Sequence, residues 1–138
     1  LKVNFFIVGT QKGGTTALHS MLSCLNGIQM STPKEIHFFD NEEVDWHQPD
    51  YEKLHTCFDW NVENQIRGEA TPIYCYWPES LRRIHAYNPE AKIIMLLRHP
   101  AHRAYSHWRM EFLRGYETLQ FVDAISEKGR WRVAGAPV

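Results

Sequence analysis

Phe5-Phe6-Ile7-Val8-Gly9-Thr10-Gln11-Lys12-Gly13-Gly14-Thr15-Thr16-Ala17-Leu18 is the stretch that decides the fold of this chain. The apolar run from Val3 to Val8, stopped by Gly9, has the composition of a strand buried on both faces of a parallel sheet. Thr10 to Gly14 form a glycine-rich loop, and Thr15 to Leu25 read as a helix closed by Asn26-Gly27. Strand, loop and helix in that order put backbone amides and a helix N-terminus where they can cradle an anion.

Working outward, the alternation repeats. Residues 28–40 read as extended, 51–58 as a short helix, and 66–70 as a strand running into Thr71-Pro72. Pro78-Glu79 open a helix that ends near Tyr87, before Asn88-Pro89. Ala91 to Leu97 is the second strongly apolar strand, and Pro100 starts a helix reaching Arg114-Gly115. On that helix Ala101, Tyr105, Trp108 and Phe112 recur at helical spacing, a face expected to pack on the sheet. Phe121 to Lys128 read as a further short helix. The expected fold is therefore α/β: one P-loop-like, three-layer domain over residues 1–138, with a central mostly parallel sheet flanked by helices. Such sheets bind ligands at the carboxyl ends of their strands, which is where the polar clusters after Val8 and Leu97 fall.

Composition narrows the ligand. Fifteen Lys+Arg against sixteen Asp+Glu give a formal charge of −1, so nothing in the overall charge calls for nucleic acid or an anionic membrane, and any anion is bound locally. Cys24, Cys57 and Cys75 are odd in number and form no CxxC pair, which argues against a disulfide framework and a zinc site and for a reducing compartment. Eight histidines raise the question of a metal, but His102 and His107 would lie about 140° apart around one helix, so no metal is expected. No apolar stretch is long enough to span a membrane. The reducing reading makes the expected location cytoplasmic, of bacterial type; because residue 1 is Leu rather than Met and a strand begins at once, an upstream anchor could have been removed, which would make it the Golgi lumen.

The place of the lysine says which anion chemistry to expect. A nucleoside-triphosphatase loop carries Lys directly before the magnesium-binding Ser or Thr. Here Lys12 stands inside the loop, ahead of Gly13-Gly14-Thr15-Thr16. The acid such enzymes use to organise magnesium at a neighbouring strand end is also missing, because Ile93-Ile94-Met95-Leu96-Leu97 runs into Arg98. A cation in that place points to direct binding of an anion without a metal. Arg98 offers a planar donor fork, and Ser106, on the second turn of the following helix, can join it on one anion.

The 5–18 segment resembles the 5′-phosphosulfate loop of sulfotransferases that use 3′-phosphoadenosine 5′-phosphosulfate (PAPS), closest to the heparan-sulfate and bacterial branch. Arg98-His99-Pro100-Ala101-His102-Arg103-Ala104-Tyr105-Ser106 resembles the family's 3′-phosphate motif. The resemblance implies that Lys12 binds the 5′-phosphosulfate and stabilises charge on the leaving phosphate, while Gly13, Gly14, Thr15 and Thr16 supply amides and hydroxyls. It implies that Arg98 and Ser106 hold the 3′-phosphate.

Sulfuryl transfer to a hydroxyl needs a base for the acceptor proton. Lys34-Glu35-Ile36-His37-Phe38-Phe39-Asp40, if extended, projects Glu35 and His37 from the same face. The segment is similar to Lys-Glu-x-His-Phe-Phe-Asp of the heparan-sulfate 3-O-sulfotransferases. The likeness implies Glu35 as the catalytic base, His37 as the group that orients or assists it, and Lys34 and Asp40 as residues shaping the site. Gly68-Glu69-Ala70-Thr71-Pro72-Ile73-Tyr74 also resembles a family segment bordering the acceptor cleft, where a carboxylate at Glu69 would repel a sulfated sugar. Trp46 is the tryptophan expected to touch acceptor.

The resemblance covers residues 3 to about 127 but only the N-terminal, PAPS-binding half of a usual domain, so C-terminal truncation is expected. The activity it implies is transfer of a sulfuryl group from PAPS to a hydroxyl or amine of a carbohydrate or small metabolite. The alternatives are a truncated, non-catalytic binder of PAPS or its product, and a P-loop nucleotide kinase.

Overall fold

The computed structural model describes residues 1–127 and 129. These form two compact units, Leu1–Leu97 and the part beginning at Arg98.

The first unit is built on β1 (Phe5–Gly9), α1 (Thr15–Ser23), β2 (Ile28–Met30), α2 (Glu52–His55), β3 (Ile66–Ala70), α3 (Ser80–Tyr87) and β4 (Lys92–Met95). Its four strands pair in the order β2-β3-β1-β4, every pair parallel, as the alternation of strands and helices requires. β1 is central and all five of its residues are buried, which is why its sequence is an unbroken apolar run rather than an alternating one.

Successive β1 side chains face opposite ways and seed two cores. Phe6 and Val8 join Phe39, Leu54, Tyr74, Ile84 and Tyr87 on the face covered by α2 and α3. Phe5 and Ile7 join Met30 and Ala70, with Leu18 and Leu22 of α1 packed against them. That is the three-layer arrangement expected. Phe39 is its aromatic centre, with the rings of Phe6, Tyr74 and Tyr87 at 5.4, 5.8 and 5.8 Å. Gly68 pairs with Phe5 across the β1–β3 ladder, and a Cβ on it would lie 2.0 Å from the Phe5 ring, so β3 can carry no side chain there.

The 28–40 segment departs from expectation. Only Ile28–Met30 is strand, and the chain then turns irregular, with Glu35 and His37 in the left-handed region at φ 59° and 55°. The helix expected over 51–58 is a single turn, Glu52–His55.

The second unit holds α4 (Pro100–Leu113), with Pro100 in its first turn, and α5 (Phe121–Ala124). No residue of α4 is buried. The face expected to meet the sheet has a partner inside this unit: Tyr105 and Trp108 pack on Phe121 at 5.1 and 5.6 Å, and the Trp108 indole N–H donates to the Leu119 carbonyl at 2.9 Å. Lys128, the expected end of the last helix, lies outside the described residues.

Candidate active site

The glycine-rich loop is seated on β4. The Thr10 amide and hydroxyl both donate to the Leu96 carbonyl, at 2.9 and 3.0 Å, and the Gly13 amide donates back to the Thr10 carbonyl at 2.8 Å. Gly13 is obligatory, because a Cβ on it would lie 2.7 Å from the Leu96 oxygen and 2.8 Å from that of Thr10. Lys12 and Gly14 both take positive φ, 63° and 107°, which turns the loop sharply into α1. Gly14 is the N-cap of α1 and no side chain caps the helix. The first-turn amides are therefore directed at the loop, the arrangement that receives an anion. Lys12, Gly13, Gly14, Thr15 and Thr16 thus belong to one structure, with Thr15 buried and Thr16 exposed.

A second constellation lies on the 34–40 segment. The Nδ1 of His37 is 2.8 Å from Oδ2 of Asp40, and its Nε2 is 3.9 Å from Oε2 of Glu35. Lys34 pairs with the other oxygen of Glu35. If the imidazole donates its Nδ1 proton to Asp40, Nε2 is left as an unprotonated nitrogen facing Glu35. In that tautomer Asp40 would hold the His37 ring as well as shape the site. Glu35 and His37 meet as expected, but through two left-handed residues rather than an extended strand.

The floor beneath them was not legible in the sequence. Five consecutive amides, 35 to 39, all donate to the end of β3 and the segment that follows it. Glu35 N–H donates to the Ala70 carbonyl at 3.1 Å, Ile36 N–H to Glu69 Oε1 at 3.4 Å and His37 N–H to Thr71 Oγ1 at 3.5 Å. Those of Phe38 and Phe39 go to the Tyr74 hydroxyl at 3.1 and 3.4 Å. The Thr71 hydroxyl in turn donates to Glu69 Oε1.

Glu69 is wholly buried, so the expectation of a carboxylate facing an acceptor cleft fails. Burial raises its pKa from about 4.5 to about 8, with Asp40 adding to the rise and the bonds from Thr71 and Ile36 opposing it. At neutral pH it is an uncharged acid.

Trp46 is also not available as expected. Its ring stacks on Phe39 at 6.1 Å, the Arg83 guanidinium lies 4.2 Å above it, and its indole N–H donates to the Asn41 carbonyl at 2.9 Å. Arg83 also grips both oxygens of Glu42 and the Phe39 carbonyl, fastening the 39–46 loop to α3.

Arg98 and Ser106 belong to the second unit, Arg98 exposed at its start and Ser106 half-buried on α4. His99 and His102 lie with ring centroids 4.9 Å apart at a tilt, and among the described residues no group of acidic, His or Cys side chains is arranged to hold a metal. Among those residues no helix is long and apolar enough to cross a membrane.

Comparison with known proteins agrees with this geometry. The family model described as "Sulfotransferase domain" matches residues 2–128. "Membrane-associated sulfotransferase kil1" of Dictyostelium discoideum is 33% identical over 117 residues, covering 80% of this chain and 24% of that protein. Human "Heparan sulfate glucosamine 3-O-sulfotransferase 5" is 34% identical over 116 residues, 80% of this chain and 31% of that protein. Human "Bifunctional heparan sulfate N-deacetylase/N-sulfotransferase 2" is 33% identical over 138 residues, 89% of this chain and 15% of that protein. The crystal structure of a sulfotransferase from Alicyclobacillus acidocaldarius superposes with a TM-score of 0.81 at 28% identity, covering 99% of this chain and 61% of that one. The chain thus spans less than a third of the length of these curated relatives.

Proposed function

This chain belongs to the sulfotransferase family, and from that premise we propose that it carries the donor-binding and proton-accepting parts of a site that moves a sulfuryl group from PAPS to an acceptor hydroxyl or amine. The observation that carries the reading is the loop itself. Lys12 stands within an uncapped turn whose Gly13 lies against the Leu96 carbonyl just after β4, a cradle for a phosphosulfate rather than for a magnesium triphosphate.

PAPS supplies an activated sulfuryl group when bound. Lys12 and the amides of Gly13 to Thr16 would hold its 5′ end, with the Lys12 ammonium supplying positive charge beside the leaving phosphate. Arg98 and Ser106 hold the 3′-phosphate. Glu35 accepts the proton of the acceptor hydroxyl at a carboxylate oxygen as the new O–S bond forms. His37, held by Asp40, presents Nε2 beside that carboxylate, where it would orient the acceptor. The acceptor is a carbohydrate or a small metabolite. The two heparan-sulfate relatives favour a carbohydrate.

The test is calorimetric titration with adenosine 3′,5′-bisphosphate against AMP. Tight binding of the bisphosphate alone, lost in Arg98→Ala, is expected, and equal affinity for both would sink the donor assignment. A second reading is a module that binds the bisphosphate and does not turn over. Bisphosphate affinity without transfer to any hydroxyl acceptor would establish that reading instead.

A further inference from the structure

The buried acid Glu69 takes no part in the proposed chemistry, yet it sits directly beneath the residues that do. We propose that Glu69 is a positioning residue: through Oε1 it fixes the Ile36 amide and the Thr71 hydroxyl together, and so sets where the side chains of Glu35 and His37 point. This rests on the proposed function for what those two residues do, but not for the geometry.

Glu35 and His37 occupy left-handed backbone that non-glycine residues seldom adopt, and such a conformation persists only where its surroundings over-determine it. Between the two lies Ile36, whose N–H is received by Glu69 Oε1 at 3.4 Å. The same oxygen accepts the Thr71 hydroxyl, which commits that hydrogen to Glu69 and leaves a Thr71 lone pair for the His37 N–H at 3.5 Å. One carboxyl oxygen thus sets two successive amides, one directly and one by relay. An apolar side chain at 69 would leave the Ile36 N–H without its acceptor and free the threonine to rotate.

With Oε1 accepting twice, the acid proton belongs on Oε2, which is buried and makes no hydrogen bond. The neutral form also spares the segment a second negative charge beside Asp40. A glutamine has the same shape, keeps the accepting oxygen and cannot ionise, so it should replace Glu69 in this task, whereas alanine should not.

The full chain with Glu69→Ala or Glu69→Gln is compared by amide hydrogen exchange, bisphosphate calorimetry and transfer kinetics. Alanine is expected to speed exchange at Ile36 and His37 by about tenfold or more. Thr10 and Gly13 should keep their exchange rates, and bisphosphate affinity should not change. Glutamine should restore protection to near wild type. In the transfer assay alanine should lower kcat by about 10- to 100-fold with an unchanged KM for PAPS, again rescued by glutamine. Wild-type protection in the alanine variant, or a glutamine variant as impaired as alanine, would overturn the proposal. Should Glu69→Ala not fold, Thr71→Val removes the relay at constant size: faster exchange at His37 is expected, and unchanged exchange there refutes it. The exchange measurements need no donor. Wild-type chain without transfer activity therefore counts against the proposed function alone.

Discussion

The imidazole Nε2 of His37 lies 3.9 Å from Oε2 of Glu35, and the Nδ1 of the same ring lies 2.8 Å from Asp40. An acid, an imidazole and a second acid in line can hold a proton at one end while the other end fixes the tautomer. In the proposed reaction the outer acid, Glu35, is the one that meets the acceptor.

Replacing Glu35 by Ala should therefore reduce transfer by at least about a hundredfold, the scale of a lost general base. Bisphosphate affinity should stay intact, because the donor loop is a separate element. Steady-state kinetics beside calorimetry checks both halves, and surviving transfer would reassign the base.

Asp40→Asn tests the tautomer. The amide introduced at position 40 can donate to Nδ1, which makes Nδ1 the accepting nitrogen and favours the proton on Nε2. A fall in kcat of about tenfold or more is expected, with no change in unfolding free energy beyond about 1 kcal/mol. Nitrogen NMR of the His37 ring reads the tautomer directly.

Gly13→Ala should damage the donor loop specifically. Its Cβ would press on the Leu96 and Thr10 carbonyls at 2.7 and 2.8 Å, both backbone atoms that cannot swing away. A stability loss of about 1–3 kcal/mol is expected with weakened bisphosphate binding. Thermal unfolding with and without the bisphosphate separates the two effects.

Tyr74→Phe removes the hydroxyl that accepts the Phe38 and Phe39 amides, both buried. Leaving them without an acceptor should cost about 1–3 kcal/mol, measured by chemical denaturation.

Stability should also depend on pH through Glu69. Its folded pKa is raised to about 8 from about 4.5, so the folded chain holds a proton that the unfolded chain releases. The contribution is full below about pH 4.5 and is lost as pH rises toward about 8, by an amount on the order of a few kcal/mol. His19 and His55, with pKa values lowered mainly by burial, act in the opposite sense and weaken the fold as pH falls. The clean measure is the slope of stability from pH 5 to 8, which Glu69→Gln should flatten.

Much of this architecture could be read from patterns with a direct physical cause. The unbroken apolar runs around Phe5–Val8 and Ile93–Met95 became parallel strands, and Pro100 opened α4. The loop was legible because lysine and glycine positions there are dictated by backbone geometry. What escaped was set by tertiary contacts. The 34–40 segment alternates like a strand, but its amides find their acceptors on Glu69, Thr71 and Tyr74, and those bonds hold Glu35 and His37 in left-handed turns. Trp46 looked like a free recognition ring because nothing local announced that Arg83, on a distant helix, would cover it. Glu69 read as a carboxylate bordering the acceptor cleft because its burial is set by the 34–40 segment, which is distant in sequence.

The Thr10 hydroxyl and amide are seated on the carbonyl of Leu96, a residue 86 positions later. On a ribosome adding roughly 5–20 residues per second, the loop is made early and waits several seconds for its seat. Helix α1 can wind in that interval, but β1 has neither neighbour: β3 and β4 are still to come. The donor cradle is thus translated well before the residue that seats it, so a nascent chain gains no ligand-binding protection until β4 and Leu96 have emerged.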